Sequence, residues 1–479
     1  MAHDDDAESP KLPSRRTFLS TTAVATAGLL VGCDPESGAD AGARDAALPG
    51  DAGTTEDAGR AADAGDEDAG TPGPLAPPED TPEATTFGLG VASGDARVDG
   101  AVLWTRYDGT ASLRLAVWEM DGASYVAERV DVVVSPADGG FVHHAVTGLT
   151  AGARYRYAFF EMDGDMRSGR SAVGRFRAAL AADASEVLRI GAVSCVRNGR
   201  DHATLERAGE RDDLDLFLLL GDSTYNDGDR TLAEYRGSWA ENMSTAGWRG
   251  TRAATSVLAT WDDHEVDNNF DPETADLANP KRAFFENLPL SRDTTDPDRI
   301  WRSARWGRTV EVFVLDSRGE RRPSVDEYLS RAQMDWLKTG LAASPCTFKL
   351  IMNSVPIADF PFPSGGDRWE GYAAQRTEIL TFIDDTPIDG VLWVSGDFHL
   401  ACIGAVARSG PGASQTEILA GPGAQIGNPG SFLLREPQFS WASITNNYTT
   451  MELDPTGPQI RVTWHDGSGD VIHAAEIDF

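Results

Sequence analysis

Cysteine, histidine and positive charge are all scarce in this 479-residue chain. Its four cysteines, Cys33, Cys195, Cys346 and Cys402, are too few for a disulfide scaffold, and no pair has the spacing of a zinc knuckle. Stability has to come from packing. With eight histidines, a metal site must recruit carboxylates, amides or other oxygens, which favours hard or mixed-hardness ions. Lys and Arg number 42 against 75 Asp and Glu, a net charge of −33 that repels phosphate backbones and excludes a nucleic-acid-binding partner from the expected ones. What is present suffices for real cores: 41% hydrophobic residues, 8% aromatic, 12 Trp. The length exceeds the roughly 250–300 residues at which one core stops growing, so two folded units and an unfolded segment are expected.

Residues 14–20, Ser-Arg-Arg-Thr-Phe-Leu-Ser, carry the twin-arginine export pattern, followed by an apolar stretch, Thr21 to Val31, too short to span a bilayer as a mature helix. It ends Leu30-Val31-Gly32-Cys33, which resembles a lipobox. The segment 1–33 thus reads as a twin-arginine lipoprotein signal peptide. Its implied partners are the twin-arginine translocase, the lipoprotein-processing machinery and the membrane, held through lipid on Cys33, in a periplasmic or cell-surface location. Residues 34–86 hold five Asp-Ala-Gly repeats and no aromatic residue. They read as a disordered acidic linker, because such a stretch cannot bury enough apolar area to offset its ordering entropy. The repeats lack the alternating ligands of a calcium loop.

From Phe87 the character changes. Short β-branched and aromatic runs, among them Ala101–Arg106, Leu113–Trp118, Arg129–Val134 and Tyr155–Phe160, are separated by Asp/Gly turns, the pattern of a β-sandwich over 87–180. His143 and His144 fall on a strand there and fit cross-strand packing. From 187 to 479 continuous apolar runs alternate with helical patterns: Leu188–Ser194, Leu214–Leu220, Val310–Leu315, Phe348–Met352 and Val391–Ser395, with helices at Leu232–Asn242 and Gln333–Leu341. Such runs are strands buried on both faces of a sheet covered by helices, an α/β layered domain.

In α/β sheets chemistry gathers beyond the C-terminal strand ends. Those ends read Ser194-Cys195, Gly221-Asp222 with Tyr225, Asp316-Ser317-Arg318, Asn353-Ser354 and Gly396-Asp397-Phe398-His399, and Trp261-Asp-Asp-His-Glu265 is the densest cluster of ligand-type side chains. So many like charges on one face raise each other's pKa, and cations resolve the conflict. Cys195, Tyr225 and His399 suit a transition ion such as Fe3+. Asp222, Asp263 and Asp397 suit Ca2+, Mg2+ or Mn2+, with Asp222 able to bridge two ions. Arg318 is either an ion-pair partner or a phosphate-positioning group.

These motifs, with Phe87-Gly-Leu-Gly-Val-Ala-Ser-Gly-Asp95, Val102-Leu-Trp-Thr-Arg106 and Trp369-Glu-Gly-Tyr372, resemble the alkaline phosphatase D (PhoD-like) metallophosphatases of the calcineurin-like metallophosphoesterase superfamily. The resemblance runs from Phe87 to the C-terminus. It implies an all-β immunoglobulin/fibronectin-like sandwich followed by a four-layer αββα metallophosphoesterase domain. It also implies hydrolysis of phosphomonoesters and phosphodiesters outside the cytoplasm, by attack of a metal-bound hydroxide. By the same resemblance Cys195, Asp222, Tyr225 and His399 hold a ferric ion, and Asp222, Asp263 and Asp397 hold divalent ions, calcium in the best-known members, with Asn269 a further ligand candidate. His264 is implied as the proton donor to the leaving oxygen and Arg318 as a phosphate clamp. Ser223 stands where relatives carry Tyr, and is expected to widen or wet the pocket. Asn353-Ser354 replaces a metal-binding His, which favours calcium or magnesium over zinc. The alternatives are an enzyme for lipid or polymer phosphodiesters, and a surface binding lipoprotein whose catalytic domain has decayed.

Overall fold

Among the described residues, Leu188–Val193, Leu216–Leu220 and Ser256–Thr260 run parallel at the centre of a nine-stranded sheet. In the run 216–220, Leu216, Leu218 and Leu220 face a core shared with a second sheet, whereas Phe217 and Leu219 face helices on the outside. Both faces are buried, so the strand carries no polar alternation. Each such side chain contributes roughly 1.5–3 kcal/mol. The second sheet has seven strands, with Val310–Val314, Phe348–Met352 and Val391–Ser395 parallel at its centre. Helices Ala203–Gly209, Leu232–Met243, Ala246–Ala254 and Ala278–Asn287 pack on the outer face of the nine-stranded sheet, and Arg331–Ala343 and Ala373–Asp385 pack on that of the seven-stranded one. Helix Leu232–Met243 begins with a capping box, Thr231 accepting from the Glu234 amide while Glu234 reaches back. Helix Arg331–Ala343 is capped by Ser330.

The computed structural model describes residue 75 and residues 77–362 and 365–479, and Thr71–Phe479 is one compact unit. The export-signal and lipid-anchor readings of 1–33, and most of the linker reading, lie outside the described residues. No helix among those described is long and apolar enough to cross a membrane.

Two boundaries differ from expectation. Residues 77–86, read as linker, pack on the N-terminal β region: the Ala84 amide donates to Arg170 O, Thr86 Oγ1 to Glu161 and Tyr125 to Glu79. Backbone pairing holds this segment where its side chains bury little, a contribution that composition does not register. The region 87–180 is also not a closed unit. Val91–Arg97, Gly100–Arg106 and Phe141–Val146 belong to the nine-stranded sheet, joined through parallel pairing of Ser93 with Ser256 and Gly94 with Val257. Their other face packs on a separate five-stranded sheet, through Val91, Leu103, Leu115, Tyr155, Phe159 and neighbours. The run Ser256–Thr260 that makes the joint has only five residues and escapes a periodicity reading. His143 is buried and hydrogen-bonds Leu288 O, a packing role.

Candidate metal centre

The strand ends carry an unusual backbone. Cys195, Asp222, Asn269, Asp397 and His399 have φ of 56°, 54°, 53°, 64° and 52°, the left-handed region that L-residues rarely adopt. Such strain costs of order 1–3 kcal/mol per residue and persists where surrounding structure over-determines it. Each of these turns swings a ligand-type side chain off its strand into one space. Two glycines make room: a Cβ on Gly221 would lie 2.6 Å from that of Asp262, and one on Gly396 would lie 2.4 Å from Ser194 Oγ.

Three overlapping triads result, each with one ligand atom per residue and all three atoms within 4.8 Å: Cys195–Asp222–His399, Asp222–Asp263–His264 and Asp262–Asp263–Asp397. Asp222 belongs to the first two and Asp263 to the last two. Tyr225 joins the first, its hydroxyl 3.1 Å from Asp222 Oδ2 and 3.2 Å from His399 Nε2. Asp397 therefore groups with Asp262 and Asp263, and Asp262 is a member that sequence reasoning passed over.

The triads fit cations. Asp222 Oδ1, Asp262 Oδ2 and Asp263 Oδ1 are buried with no hydrogen-bond partner, a costly state that a positive ion relieves. Burial and neighbouring carboxylates push Asp222 well up, Asp262 to about 8 (against the pull of Arg318) and Asp397 to about 7. Burial also pushes the Cys195 thiol up, with Asp222 adding to it. Burial and His264 lower His399 to about 4, which leaves it neutral with a lone pair to give. The donor set is a thiol, a phenol, imidazoles and carboxylates, soft at one end and hard at the other.

Arg318 is fully buried. It bonds Asp262 and Asp367, and its Nη2, without a hydrogen-bond partner, lies 3.8 Å from Asp263 and 3.6 Å from Asp397. It is an internal counter-charge for four carboxylates, the ion-pair role that the sequence left open beside a phosphate-positioning one. Asn269 donates its backbone N–H to Asp263 Oδ2, and its side-chain amide lies 2.9 Å from Asp263 Oδ2 and Asp367 Oδ2, where an N–H donor fits. Ser223 is buried and is not part of the cleft wall. Ser354 bonds Asp262 instead of offering a ligand.

His264 stands at the mouth, its ring centroid 4.0 Å from that of Tyr225 and its Nδ1 2.8 Å from both oxygens of Asp227. Burial works against protonation, but Asp222 and the Asp227 bond push the imidazole up to about 10. Asp227 is the partner that sequence reading missed; its only signal is its place two residues after Tyr225. Glu265 was missed too. Its buried carboxylate accepts the amides of Asp222 (3.0 Å), Ser223 (2.6 Å) and Asp262 (2.9 Å), tying together the two loops that carry the shared ligands.

The cleft above these groups, about 370 Å³, is walled by Asp263, His264, Asn269, Asp367, Asp397 and His399, among others. Larger clefts of about 410 and 520 Å³, beside Arg302 and His143, hold no comparable ligand cluster among the described residues.

The PhoD-like phosphatase family model matches residues 190–450, and the model of that family's N-terminal domain matches 74–180. "Alkaline phosphatase D" of Bacillus subtilis is 27% identical over 381 residues, covering 65% of this chain and 64% of that protein. Of solved structures, that of PhoD is similar with a TM-score of 0.69 at 21% identity, over 82% of this chain and 89% of the other. A purple acid phosphatase, PPD1 from yellow lupin (Lupinus luteus) seeds, has a TM-score of 0.59 at 12% identity, over 81% and 73%. The two structures share the fold, and matches to both of its domain models, in order along one chain, place this protein in the PhoD-like phosphatase family of phosphoester hydrolases.

Proposed function

We propose that the protein is a metal-dependent phosphatase that hydrolyses phosphomonoesters and phosphodiesters in the cleft above Asp222, Asp263 and Asp397. The observation that carries this reading is the pair of shared carboxylates, Asp222 and Asp263, each with a buried oxygen lacking any partner. Cys195, Asp222, Tyr225 and His399 would hold the softer ion, Fe3+, and Asp222, Asp263, Asp262 and Asp397 harder ones, Ca2+, with Mg2+, Mn2+ or Zn2+ as alternatives. Bound there, the ions lower the pKa of water and neutralise charge on the phosphoryl oxygens.

The chain's own groups do the rest. Asp227 occupies His264 Nδ1, so Nε2 is left to hand its proton to the leaving ester oxygen. Arg318, buried among the carboxylates, keeps them from repelling one another. The left-handed turns at Cys195, Asp222, Asp397 and His399 hold those ligands in advance of binding. The separation of the cores into an inter-sheet layer and two helix-facing layers supports a four-layer αββα catalytic domain, and the core joining the N-terminal sheets supports an immunoglobulin-like sandwich. Export by the twin-arginine route and lipid anchoring at Cys33 rest on Ser14–Ser20 and Leu30–Cys33.

The test is elemental analysis of the purified protein beside hydrolysis of a chromogenic monoester and diester. Iron with calcium, and activity lost on chelation, are expected; a folded, metal-free and inactive protein would overturn the reading.

A further inference from the structure

One wall of the cleft continues into an exposed apolar surface. Ile426, Phe432, Leu433 and Ile444 leave 67%, 62%, 40% and 46% of their surface exposed. Asn428, in the cleft wall, ties this stretch to the centre: its amide donates to His399 O at 2.9 Å. Its side chain caps the 3-10 turn Pro429–Leu433, which carries Phe432 and Leu433. Gly427 lets Ile444 close over the loop, since a Cβ there would lie 2.4 Å from that of Ile444. On the inner side, Phe398, beside Asp397 in the cleft wall, packs against Phe360 and shares a cluster with Leu434. Phe362 links the two: its ring centroid lies 5.7 Å from that of Phe398, and a Cβ on Gly430 of the turn would lie 2.5 Å from its ring, while His264, Asn268, Asn269 and Asp367 make the other side of the cleft polar.

Apolar patches of this kind are kept exposed where something binds them. A phosphoester in the cleft must direct its phosphoryl group to the carboxylates, and its ester substituent must leave along a wall. We propose that the 426–444 rim is a subsite for an apolar ester substituent, aliphatic or aromatic, an inference that rests on the phosphoester reading of the cleft. Phe432 and Ile426 are its specificity-determining residues. The polar wall is left to the phosphoryl oxygens.

The test compares p-nitrophenyl phosphodiesters whose second ester group is methyl, butyl or octyl. A one-sided contact makes KM fall by about twofold per methylene, half or less of what full burial would give, with kcat little changed. Phe432→Ser and Ile426→Ser should flatten the series; Val133→Ser, an exposed residue of the separate five-stranded sheet, should keep it. A flat series in the parent, or an unchanged one in both rim variants, overturns the proposal. If no ester is hydrolysed, calorimetry with methylphosphonate and octylphosphonate separates the two readings. Tighter binding of the octyl compound, lost in Phe432→Ser, keeps the subsite and discards the hydrolase; equal binding discards the subsite. A rim covered instead by a second copy of the chain would give a flat series and a dimer dispersed by Phe432→Ser, which also overturns it.

Discussion

Glu265 holds three backbone amides with one carboxylate, binding the ligand loops through their main chain. Glu265→Gln puts an NH2 group against an N–H donor, so a loop must shift. Metal affinity is expected to fall about 10–100-fold, as for other groups that orient ligands, read by competition with a chelator, while the fold persists by circular dichroism. Asp227 acts differently, since it meets only His264 and the Asn268 amide. Asp227→Asn should leave metal content intact and lower kcat about 10²-fold or more, at the scale of general-acid contributions. The alkaline limb of the rate profile should also move to lower pH, because an anionic partner that raises the His264 pKa is gone. Loss of metal in this variant would show instead that Asp227 supports the ligand cluster. Glu265 closes the legible Trp261–Glu265 run and Asp227 lies two positions after Tyr225, yet bonds between loops 37 to 43 residues apart leave no mark on local pattern.

Helices Arg331–Ala343 and Ala373–Asp385 are joined on their outer side by Glu378, which accepts from Arg331 at 2.8 and 2.9 Å and from Lys338 at 3.0 Å. The Arg331 bonds first, then Lys338, hold its carboxyl down at about 2. A depressed acid stabilises the folded state above its unfolded value, near 4.5, and the contribution is lost as pH falls from there toward 2. The thermal midpoint of Glu378→Gln should therefore lie below the parent's at pH 7, with the gap closing between pH 4.5 and 2; a constant gap would mean that packing alone is at work. At this scale the sequence was readable for long or doubly buried elements. Val310–Val314, Phe348–Met352 and Val391–Ser395 form where apolar runs predict them, and the helices exceed their predicted spans by only a few residues. The C-terminal antiparallel strands, Asn447–Asp454, Gln459–Asp466 and Val471–Asp478, were missed, because buried Asn447, Thr449 and Thr450 break the apolar run of the first and the other two mix polar and apolar residues on partly exposed faces.

The whole molecule is stitched across the boundary that composition suggested near residue 87. A chain beginning at Thr71 keeps the pairing of Ala84 with Arg170 and the bond from Thr86 to Glu161, and one beginning at Phe87 loses both. The shorter chain should melt lower by calorimetry, by about 1–2 °C for each kcal/mol lost, since the shift shrinks as the cooperative unit grows. Removing everything before Glu186 should do worse, since it bares the edge of Ser256–Thr260 where Val91–Arg97 pairs. Light scattering is expected to show aggregates; a monodisperse, active product would mean that the sheets separate cleanly. The sequence by itself determined the composition of the chemistry: the ligand-type residues, their places after strands and the family they belong to are local properties, written in runs and motifs. Only the tertiary structure decided how those residues meet. That Asp222 and Asp263 are shared, that Asp262 joins the cluster and that Arg318 is sealed inside it depend on the approach of loops from separate strands. Contacts between residues 40 to 200 positions apart are set by packing, and no periodicity along the chain encodes them.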